Sequence, residues 1–514
     1  MKKLLLTIST FLSILLVFSS CNDLSQNVHS DIAEQNFYET ERQVLAAAGP
    51  AYSGLRTYTQ IAGIWGVQEL TTDETVLPTR GQHWYNDGMY QRYQRHTWHA
   101  EEGNTNIAWN DIFSGINTTN RLLHQFGEIE EKSEALELIT YELRGLRAFW
   151  YFLALDMFGN VPLVTSYEEA DAAPATNSRQ EVFNFVEEEL TSVIPNLSSE
   201  VNSNTYGRFH RWAAYATLAK LYLNAEVYTG SPRYGDALSA LNAIIDSGNY
   251  SLEDNYFANF AVENQGSSEN IFVIPYDHTY TTEWGSMHQP HFWTLHFVGN
   301  QAVNMQYGAW GGFAGGPEFV QSYDDADERK DIWLTGVQTT PAGDTLYNNQ
   351  ELPSDSALVY TESISSLENA HKNEGARLMK YDYTGAQEWS LDNDYAIYRY
   401  ADILLMKAEV LMRQNGGNAT SEAVTLVNEV RSRAFDNPGE HMYSTGSLTM
   451  DTLLAERGWE LAGEAWRRND LVRFDEFASG SWTFKSPVDE TRNIFPIPQQ
   501  QINSNPNLEQ NPGY

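Results

Sequence analysis

The stretch from Leu136 to Val164 constrains the fold of this chain more than any other. Large apolar residues recur in it at alternating steps of three and four, namely Leu136, Ile139, Leu143, Leu146, Trp150, Leu153 and Met157. That spacing places them on one stripe of an α-helix. Phe149 and Phe152 add apolar bulk on a second face, so we expect the helix to be buried on more than one side. Gly159 suits a left-handed C-cap, and Pro162 then directs the chain into an extended path.

The amino terminus has the three parts of a bacterial secretion signal. It begins with a positively charged segment (residues 1–3), continues with an apolar run (4–18) and ends with small residues before Cys21. The run is too short for a comfortable membrane span. Cys21 is the only cysteine in the chain and stands where bacterial lipoprotein signals are cut and acylated. We therefore expect a lipoprotein signal peptide over residues 1–20 and a lipid on Cys21 as the only membrane attachment.

The strongly acidic composition excludes several kinds of partner. The chain has 514 residues, with 32 Lys and Arg against 68 Asp and Glu, which gives a formal net charge of −36 at pH 7. A nucleic-acid-binding protein needs a basic surface, so we expect no nucleic-acid partner. The same charge argues against adhesion to anionic lipid. Because a single cysteine cannot form a disulfide within the chain, stability must come from a large core.

Helical spacing recurs in pairs along the chain. One helix is predicted over 208–228 with a partner over 236–245, and a second pair is predicted over 397–412 and 421–433. The first pair is rich in Trp, Tyr and Ala and is joined by a short turn, so it resembles a tetratricopeptide unit. We therefore expect about four helix pairs in an irregular stack, as in solenoid proteins.

The expected fold class is mainly α: a tetratricopeptide-like helix-pair scaffold with a large irregular, loop-rich insertion. Between about 250 and 394 the helical pattern gives way to sequence rich in Gly, Asn, Ser, Tyr and Trp. An insertion of this length must pack on the scaffold, since long structureless loops are uncommon in compact domains. The expected division is a signal peptide over 1–20 and one domain over 21–514, with scaffold over about 36–250 and 395–475.

Motifs at several places in the chain resemble those of one family of bacterial surface proteins. Residues 147–163 (RAFWYFLALDMFGNVPL) resemble the hallmark segment of the SusD/RagB family. Residues 398–409, 456–473 and 494–514 are similar to later motifs of the same family. The resemblance covers nearly the whole chain and is thinnest over about 250–394.

This resemblance implies an outer-membrane, cell-surface lipoprotein that captures oligo- or polysaccharide without cutting it. It also implies a protein partner, a SusC-like TonB-dependent transporter to which the glycan is delivered. Because some members of the family are thought to capture peptides, a peptide-binding receptor is an alternative.

A carboxylate-rich helix raises the further alternative of a secreted helical glycoside hydrolase. Three glutamates recur there at four-residue steps close to arginines (Glu456, Glu460 and Glu464; Arg457, Arg467 and Arg468). Paired carboxylates can act as general acid and base on a glycosidic bond. Acids mixed this closely with Arg in a periodic helix are more typical of ion-pair networks between helices. We therefore predict no catalytic residue and a structural role for this helix.

A surface that binds sugar needs exposed aromatic rings beside amide, carboxylate or guanidinium groups, because a sugar has an apolar C–H face and a rim of hydroxyls. Tryptophans at helical spacing are predicted to be core, namely Trp109, Trp150, Trp212, Trp459 and Trp466. Two groups of aromatic and polar residues lie in irregular segments instead. The first is Trp84, Tyr85, Asn86 and Asp87 with Trp98; the second is Asp277, Trp284, His288, Trp293 and Trp310. The resemblance points to the same two regions, and Arg377 is a further candidate for hydroxyl contacts.

No cofactor or metal site is predicted. His288, His291 and His296 lack the spacing of a zinc site. The acidic run from Asp324 to Glu328 does not have Gly and Glu at the positions that a calcium-binding loop requires. The Gly-rich run over 308–316 is not followed by the Lys-Ser/Thr of a phosphate loop. We expect a neutral glucan or fructan as ligand, because so negative a surface would repel an anionic polymer.

Overall fold

The computed structural model describes residues 38, 40–168, 173–282, 288, 290–347, 356–386 and 390–514. The signal peptide, Cys21 and Trp284 lie outside these residues. The α-helices are α1 Glu41–Gly54, α2 Ile64–Glu69, α3 Met89–Arg95, α4 Gly103–Gly127, α5 Glu134–Phe158, α6 Arg179–Val193, α7 Arg211–Leu223, α8 Ala225–Thr229, α9 Tyr234–Asp246, α10 Pro290–Thr294, α11 Pro317–Gln321, α12 Tyr400–Gln414, α13 Ser421–Ser432, α14 Met450–Leu461, α15 Arg467–Arg473 and α16 Gln499–Ser504. The strands are β1 Thr75–Val76, β2 Asn270–Ile274, β3 Ala314–Gly315, β4 Trp333–Leu334, β5 Gly336–Val337, β6 Val359–Tyr360, β7 Arg377–Leu378 and β8 Tyr395–Arg399.

Helix α5 is the predicted central helix, and it lies at the heart of the core. The Ser133 hydroxyl caps it by accepting the Leu136 N–H at 3.2 Å, and the helix ends at Gly159 with φ of 70°. Every residue from Gly145 to Phe158 is buried, because α1, α4 and α6 all pack against this helix. The prediction of burial on more than one side is confirmed.

The predicted helix pairs form, with two differences at their ends. Helix α7 packs against α9 and α12 against α13, and α9 also packs against α12, which joins the two pairs. The helix predicted over 208–228 is interrupted at Asn224, where α8 begins. The helix predicted from residue 397 starts at Tyr400 instead, because Tyr398 belongs to β8 and pairs with Phe272 of β2. Short apolar runs fit a strand as well as a helix, so periodicity did not separate them.

The described strands pair into antiparallel two-stranded ladders, β1 with β3, β2 with β8, β4 with β7 and β5 with β6. The ladder of β1 and β3 matters for the site, since Thr75 pairs with Gly315 and Val76 with Ala314. Because the strands are antiparallel, the chain leaving β1 lies beside the chain entering β3. This pairing brings the loop after residue 76 next to the loop before residue 314.

A buried ion-pair network fastens the carboxyl-terminal helices to the insertion. Glu456 contacts Arg329 at 2.7 Å and Arg431 at 2.6 Å. Glu464 contacts Lys380 and Arg399, each at 2.6 Å. The prediction of an ion-pair network is confirmed. The arginines close in sequence to these glutamates pair with other acids: Arg457 with Asp402 and Asp470, Arg467 with Asp73, and Arg468 with Asp156. Helix α14 ends at Leu461, so Glu464 leaves the predicted helical register.

Among the described residues, no helix has both the length and the apolar character that a membrane crossing requires.

Candidate functional site

An open cleft lies where the loop after β1 meets the loop before β3. Its volume is about 650 Å³, which falls in the range of small-ligand sites. It is lined by Gln82, His83, Trp84, Asn86, Phe297, Ala309, Trp310 and Lys372. The cleft therefore joins one member of each predicted group, Trp84 and Trp310, across more than two hundred residues of sequence.

Two tryptophans, Trp84 and Trp310, line the cleft, and a third packs behind them. The rings of Trp84 and Trp310 have centroids 6.4 Å apart and planes inclined by 36°. Trp293 packs behind both rings, with its centroid 4.8 Å from Trp84 and 5.8 Å from Trp310. Trp310 is 40% exposed, Trp84 is half-buried and Trp293 is 8% exposed. Two rings thus border solvent, and the third supports them.

The loop that carries Trp84 is held in an unusual backbone conformation. Trp84, Asn86 and Asp87 have φ angles of 66°, 41° and 54°, in the left-handed region. Such a conformation costs about 1–3 kcal/mol per non-glycine residue and tends to occur where a ligand site is preformed. Arg92 restrains the loop by donating from Nη1 to the Asp87 carbonyl oxygen at 2.6 Å. Tyr85, which is 55% exposed, and the exposed Asp87 belong to the same loop but do not line the cleft.

The Gly-rich run before β3 folds back on α10. The N–H groups of Gly311 and Gly312 donate to the carbonyl oxygens of Leu295 and Trp293 at 2.8 and 2.6 Å. A Cβ on Gly312 would lie 2.8 Å from the Trp293 oxygen and 3.0 Å from the Trp84 ring. Glycine is therefore required here so that the backbone can approach the tryptophans closely.

Two buried arginines support the cleft from within the protein. Arg80 donates from Nε to the Gly312 carbonyl oxygen at 3.0 Å and from Nη2 to that of Glu374 at 2.9 Å. Arg377 donates from Nη1 to the Phe313 oxygen at 3.1 Å, and burial lowers its pKa to about 10. Arg377 is fully buried, so it positions backbone and does not contact sugar hydroxyls as predicted. The similar role of Arg80 was not predicted, because no sequence pattern shows that a single arginine in a loop will be buried against distant backbone carbonyl oxygens.

Two other predicted residues lie inside the protein. Trp98 is buried against Phe495, and its Nε1 donates to the Tyr514 hydroxyl at 2.6 Å. His288 is buried with its ring 4.9 Å from that of Tyr276, and burial lowers the pKa of His288 to about 3. The expectation that these rings contact a glycan does not hold in this structure. Both follow polar or glycine-rich sequence, and only long-range packing covers them.

Asp277 is exposed but does not line the cleft. It belongs, with His278 and Asp392, to the one group of described residues whose ligand atoms lie close enough to hold a metal, all within 4.8 Å of one another. The carboxylates already accept hydrogen bonds, Asp277 from the Thr279 N–H and Asp392 from the His278 N–H, both at 2.8 Å. The three histidines His288, His291 and His296 do not form such a group among the described residues.

The cleft has the chemistry of a sugar-binding surface. Trp84 and Trp310 offer ring faces, while Gln82 and Asn86 offer planar amides for hydroxyl groups. His83, Phe297, Ala309 and Lys372 complete the lining, and no sequence pattern predicts Phe297 or Lys372 there. The residues that line the cleft in the described part of the chain include no Asp or Glu. A pair of carboxylates of the kind that hydrolyses glycosidic bonds is therefore not found among them.

Known proteins are similar to this chain in both sequence and architecture. The SusD family model matches residues 268–514, and a model described as "Starch-binding associating with outer membrane" matches residues 52–223. The starch-binding protein SusD of Bacteroides thetaiotaomicron is 27% identical over 424 residues, which are 73% of this chain and 72% of that protein. A SusD-like protein of Formosa agariphila is 26% identical over 529 residues, covering 97% of this chain and 96% of the relative.

Two solved structures illustrate the likeness in fold. A laminarin-binding SusD-like protein has a TM-score of 0.73 at 23% identity and covers 93% of this chain and 100% of its own. Surface glycan-binding protein A from Bacteroides thetaiotaomicron, in complex with laminarihexaose, has a TM-score of 0.73 at 20% identity. The match covers 91% of this chain and 99% of that protein. With family models matching both halves and a scaffold of paired helices, this chain belongs to the SusD family of outer-membrane-associated glycan-binding proteins.

Proposed function

We propose that the protein is a non-catalytic cell-surface lipoprotein that binds oligo- or polysaccharide in the cleft between Trp84 and Trp310. The lipid on Cys21 would hold it at the outer membrane, and a SusC-like TonB-dependent transporter would receive the glycan. Tether and transporter rest on the signal sequence and on family membership. The binding site rests on the geometry of the cleft.

The observation that carries the proposal is the pair of solvent-facing indoles fixed at 36° to each other. Each ring can stack on the apolar face of a sugar unit. Two rings that are not coplanar suit a chain that bends between units better than a flat ribbon. The relatives named for starch and laminarin bind glucans, and both are neutral polymers, which agrees with the net charge of −36. We therefore favour a neutral, curved glucan.

Binding without cleavage is supported by the lining of the cleft. Among the described residues that line it, Lys372 is the only Lys, Arg, Asp or Glu, and the other polar groups are the amides of Gln82 and Asn86 and the ring of His83. Glu456 and Glu460 of α14, which suggested a hydrolase in the sequence, are buried in ion pairs with arginines and are not accessible to a substrate.

The test is calorimetry of laminarihexaose and maltohexaose binding to the wild type and to Trp310→Ala. Stacking contributes roughly 1–3 kcal/mol per ring by analogy with base stacking, so the affinity for the bound sugar should fall about fivefold or more. The matched control is Tyr167→Ala, which removes an exposed ring that does not line the cleft. Equal binding by Trp310→Ala and wild type would refute the site, and release of reducing sugar would refute binding without catalysis.

A further inference from the structure

A second cavity, of about 350 Å³, lies at the other end of the β1–β3 ladder. Its lining is Asp73, Glu318, Phe319, Ser322, Asp451, Leu454, Ala455, Trp459, Arg467, Leu471, Phe474, Glu476, Gly480, Ser481 and Trp482. Asp73 precedes β1 and Glu318 follows β3, whereas Trp84 follows β1 and Trp310 precedes β3. The same two segments therefore contribute to both cavities, one at each end of the ladder.

Two indoles of this second cavity are fixed and half-buried. Trp459 was predicted to be core from its helical spacing, but the structure leaves it partly exposed at the cavity. Its Nε1 donates to the Ser322 hydroxyl at 2.9 Å. The ring of Trp482 is backed on one face by Lys485, with Nζ 4.4 Å from the ring centroid. Held in this way, both rings can act as platforms without losing side-chain freedom on binding.

The polar groups of the cavity suit hydroxyls. Arg467 holds Asp73 in a bidentate pair, with Nε–Oδ1 and Nη2–Oδ2 distances of 2.8 and 2.7 Å. Glu476 and Ser481 lie at the exposed rim. Carboxylate and guanidinium groups are strong partners for sugar hydroxyls. The lining holds four carboxylates, those of Asp73, Glu318, Asp451 and Glu476, and the cation of Arg467, so an anionic sugar would be repelled.

We propose that this cavity is a secondary subsite that binds neutral hexose units of the same polysaccharide whose main site is the Trp84–Trp310 cleft. The inference rests on the proposed function. A polymer long enough to occupy both cavities gains effective concentration at the second, which slows its release. A short oligosaccharide occupies the main cleft alone, so the second cavity adds to the retention of polymers and not to the affinity for oligomers.

The experiment compares Trp482→Ala with wild type by electrophoresis in gels containing laminarin or amylopectin, and by calorimetry with laminarihexaose and maltohexaose. Retention of Trp482→Ala should be at least threefold weaker than that of wild type in the gel whose polysaccharide retains the wild type. Its affinity for the matching hexasaccharide should stay within twofold of the wild-type value. Trp310→Ala should lose both, and Tyr167→Ala neither. Unchanged retention of Trp482→Ala would overturn the subsite. Unchanged hexasaccharide binding by Trp310→Ala would instead overturn the main site, so the two failures are distinguishable.

A second variant separates binding from folding. Glu476→Gln changes an exposed carboxylate at the rim and should leave the unfolding temperature unchanged while lowering polymer retention about twofold. Should Trp482→Ala lower the unfolding temperature, the result with Glu476→Gln decides, and wild-type retention by that variant would overturn the subsite. Retention should not depend on salt, since a neutral sugar carries no charge to be screened. If the difference in retention between wild type and Trp482→Ala disappeared at high salt, the cavity would hold a cation, and the proposal would be refuted. Retention by neither polysaccharide would contradict both proposals.

Discussion

The indole N–H of Trp84 donates a hydrogen bond to the main-chain carbonyl oxygen of Trp310 at 3.2 Å. This contact joins the two loops of the cleft through the rings that are proposed to bind sugar. The Trp84 ring is thus both a proposed stacking surface for sugar and the hydrogen-bond donor that holds the backbone of Trp310. Removing the donor and removing the ring should therefore have separable effects.

Trp84→Phe keeps an aromatic face but removes the Nε1–H donor. A hydrogen bond of this type contributes about 0.5–1.5 kcal/mol, and less when partly exposed, so we expect glucan affinity to fall roughly threefold to tenfold. Trp84→Ala removes the platform as well and should weaken binding further. Calorimetry of both variants with the same hexasaccharide measures the difference. Equal losses for Phe and Ala would mean that the hydrogen bond alone matters.

Gly312→Ala should weaken binding by displacing the tryptophans. The added Cβ would lie 2.8 Å from the Trp293 carbonyl oxygen and 3.0 Å from the Trp84 ring, so one of them must move. We expect at least a fivefold loss of affinity, together with a change in tryptophan fluorescence. Gly266→Ala is the matched control, because a Cβ there meets nothing within 4 Å. Wild-type affinity for Gly312→Ala would show that the loop can yield without disturbing the cleft.

Glu460→Gln should destabilise the whole protein. Burial alone would raise the pKa of Glu460, but Arg433, Arg399 and Arg329 outweigh burial and hold the pKa at about 2. Breaking a buried ion pair by removing one partner costs about 3–5 kcal/mol, because the cations stay buried without full compensation. Urea unfolding should show a loss of this order. Glu440→Gln, at an exposed glutamate, should match the wild type, and a loss below 1 kcal/mol for Glu460→Gln would contradict this account.

Glu69 should make stability fall as the pH rises. Burial raises its pKa to about 7, and its Oε1 accepts the Ala465 N–H at 2.5 Å. Because the folded-state pKa lies above the unfolded one, the stabilising contribution is complete below about pH 4.5 and is lost as the pH rises through about 7. With about 1.4 kcal/mol per pKa unit, the loss is on the order of 3 kcal/mol.

Unfolding of Glu69→Gln measured between pH 5 and 8 checks this dependence. An amide stays neutral, so the variant should lose less stability over that interval than the wild type. Neighbouring groups also act there: a hydrogen bond with Glu74 and the charge of Lys380 lower the pKa of Glu69, while Glu464 raises it. Parallel pH profiles for wild type and variant would assign the titration to another group.

The sequence allowed the helical scaffold to be predicted, because a buried helix must repeat its apolar residues with a period near 3.6. The signal over α5 ran for more than twenty residues and was flanked by a cap at Ser133 and a stop at Gly159. For the site, the exclusion of helical tryptophans left Trp84 and Trp310 among the candidates. That reasoning failed for Trp459, since helical spacing does not tell which face a neighbour covers.

Local sequence determined this protein's helices, its acidic surface and the family motifs, because those depend on residues close together along the chain. Tertiary structure alone decided which irregular segments meet. The β1–β3 ladder brings the loops of Trp84 and Trp310 together. Packing against Phe495 buries Trp98, and Arg377 turns inward to donate to backbone carbonyl oxygens. The physical reason is that such contacts join residues from 64 to several hundred positions apart. They are fixed by packing and hydrogen-bond satisfaction in the assembled core, which the sequence of a single segment does not reveal.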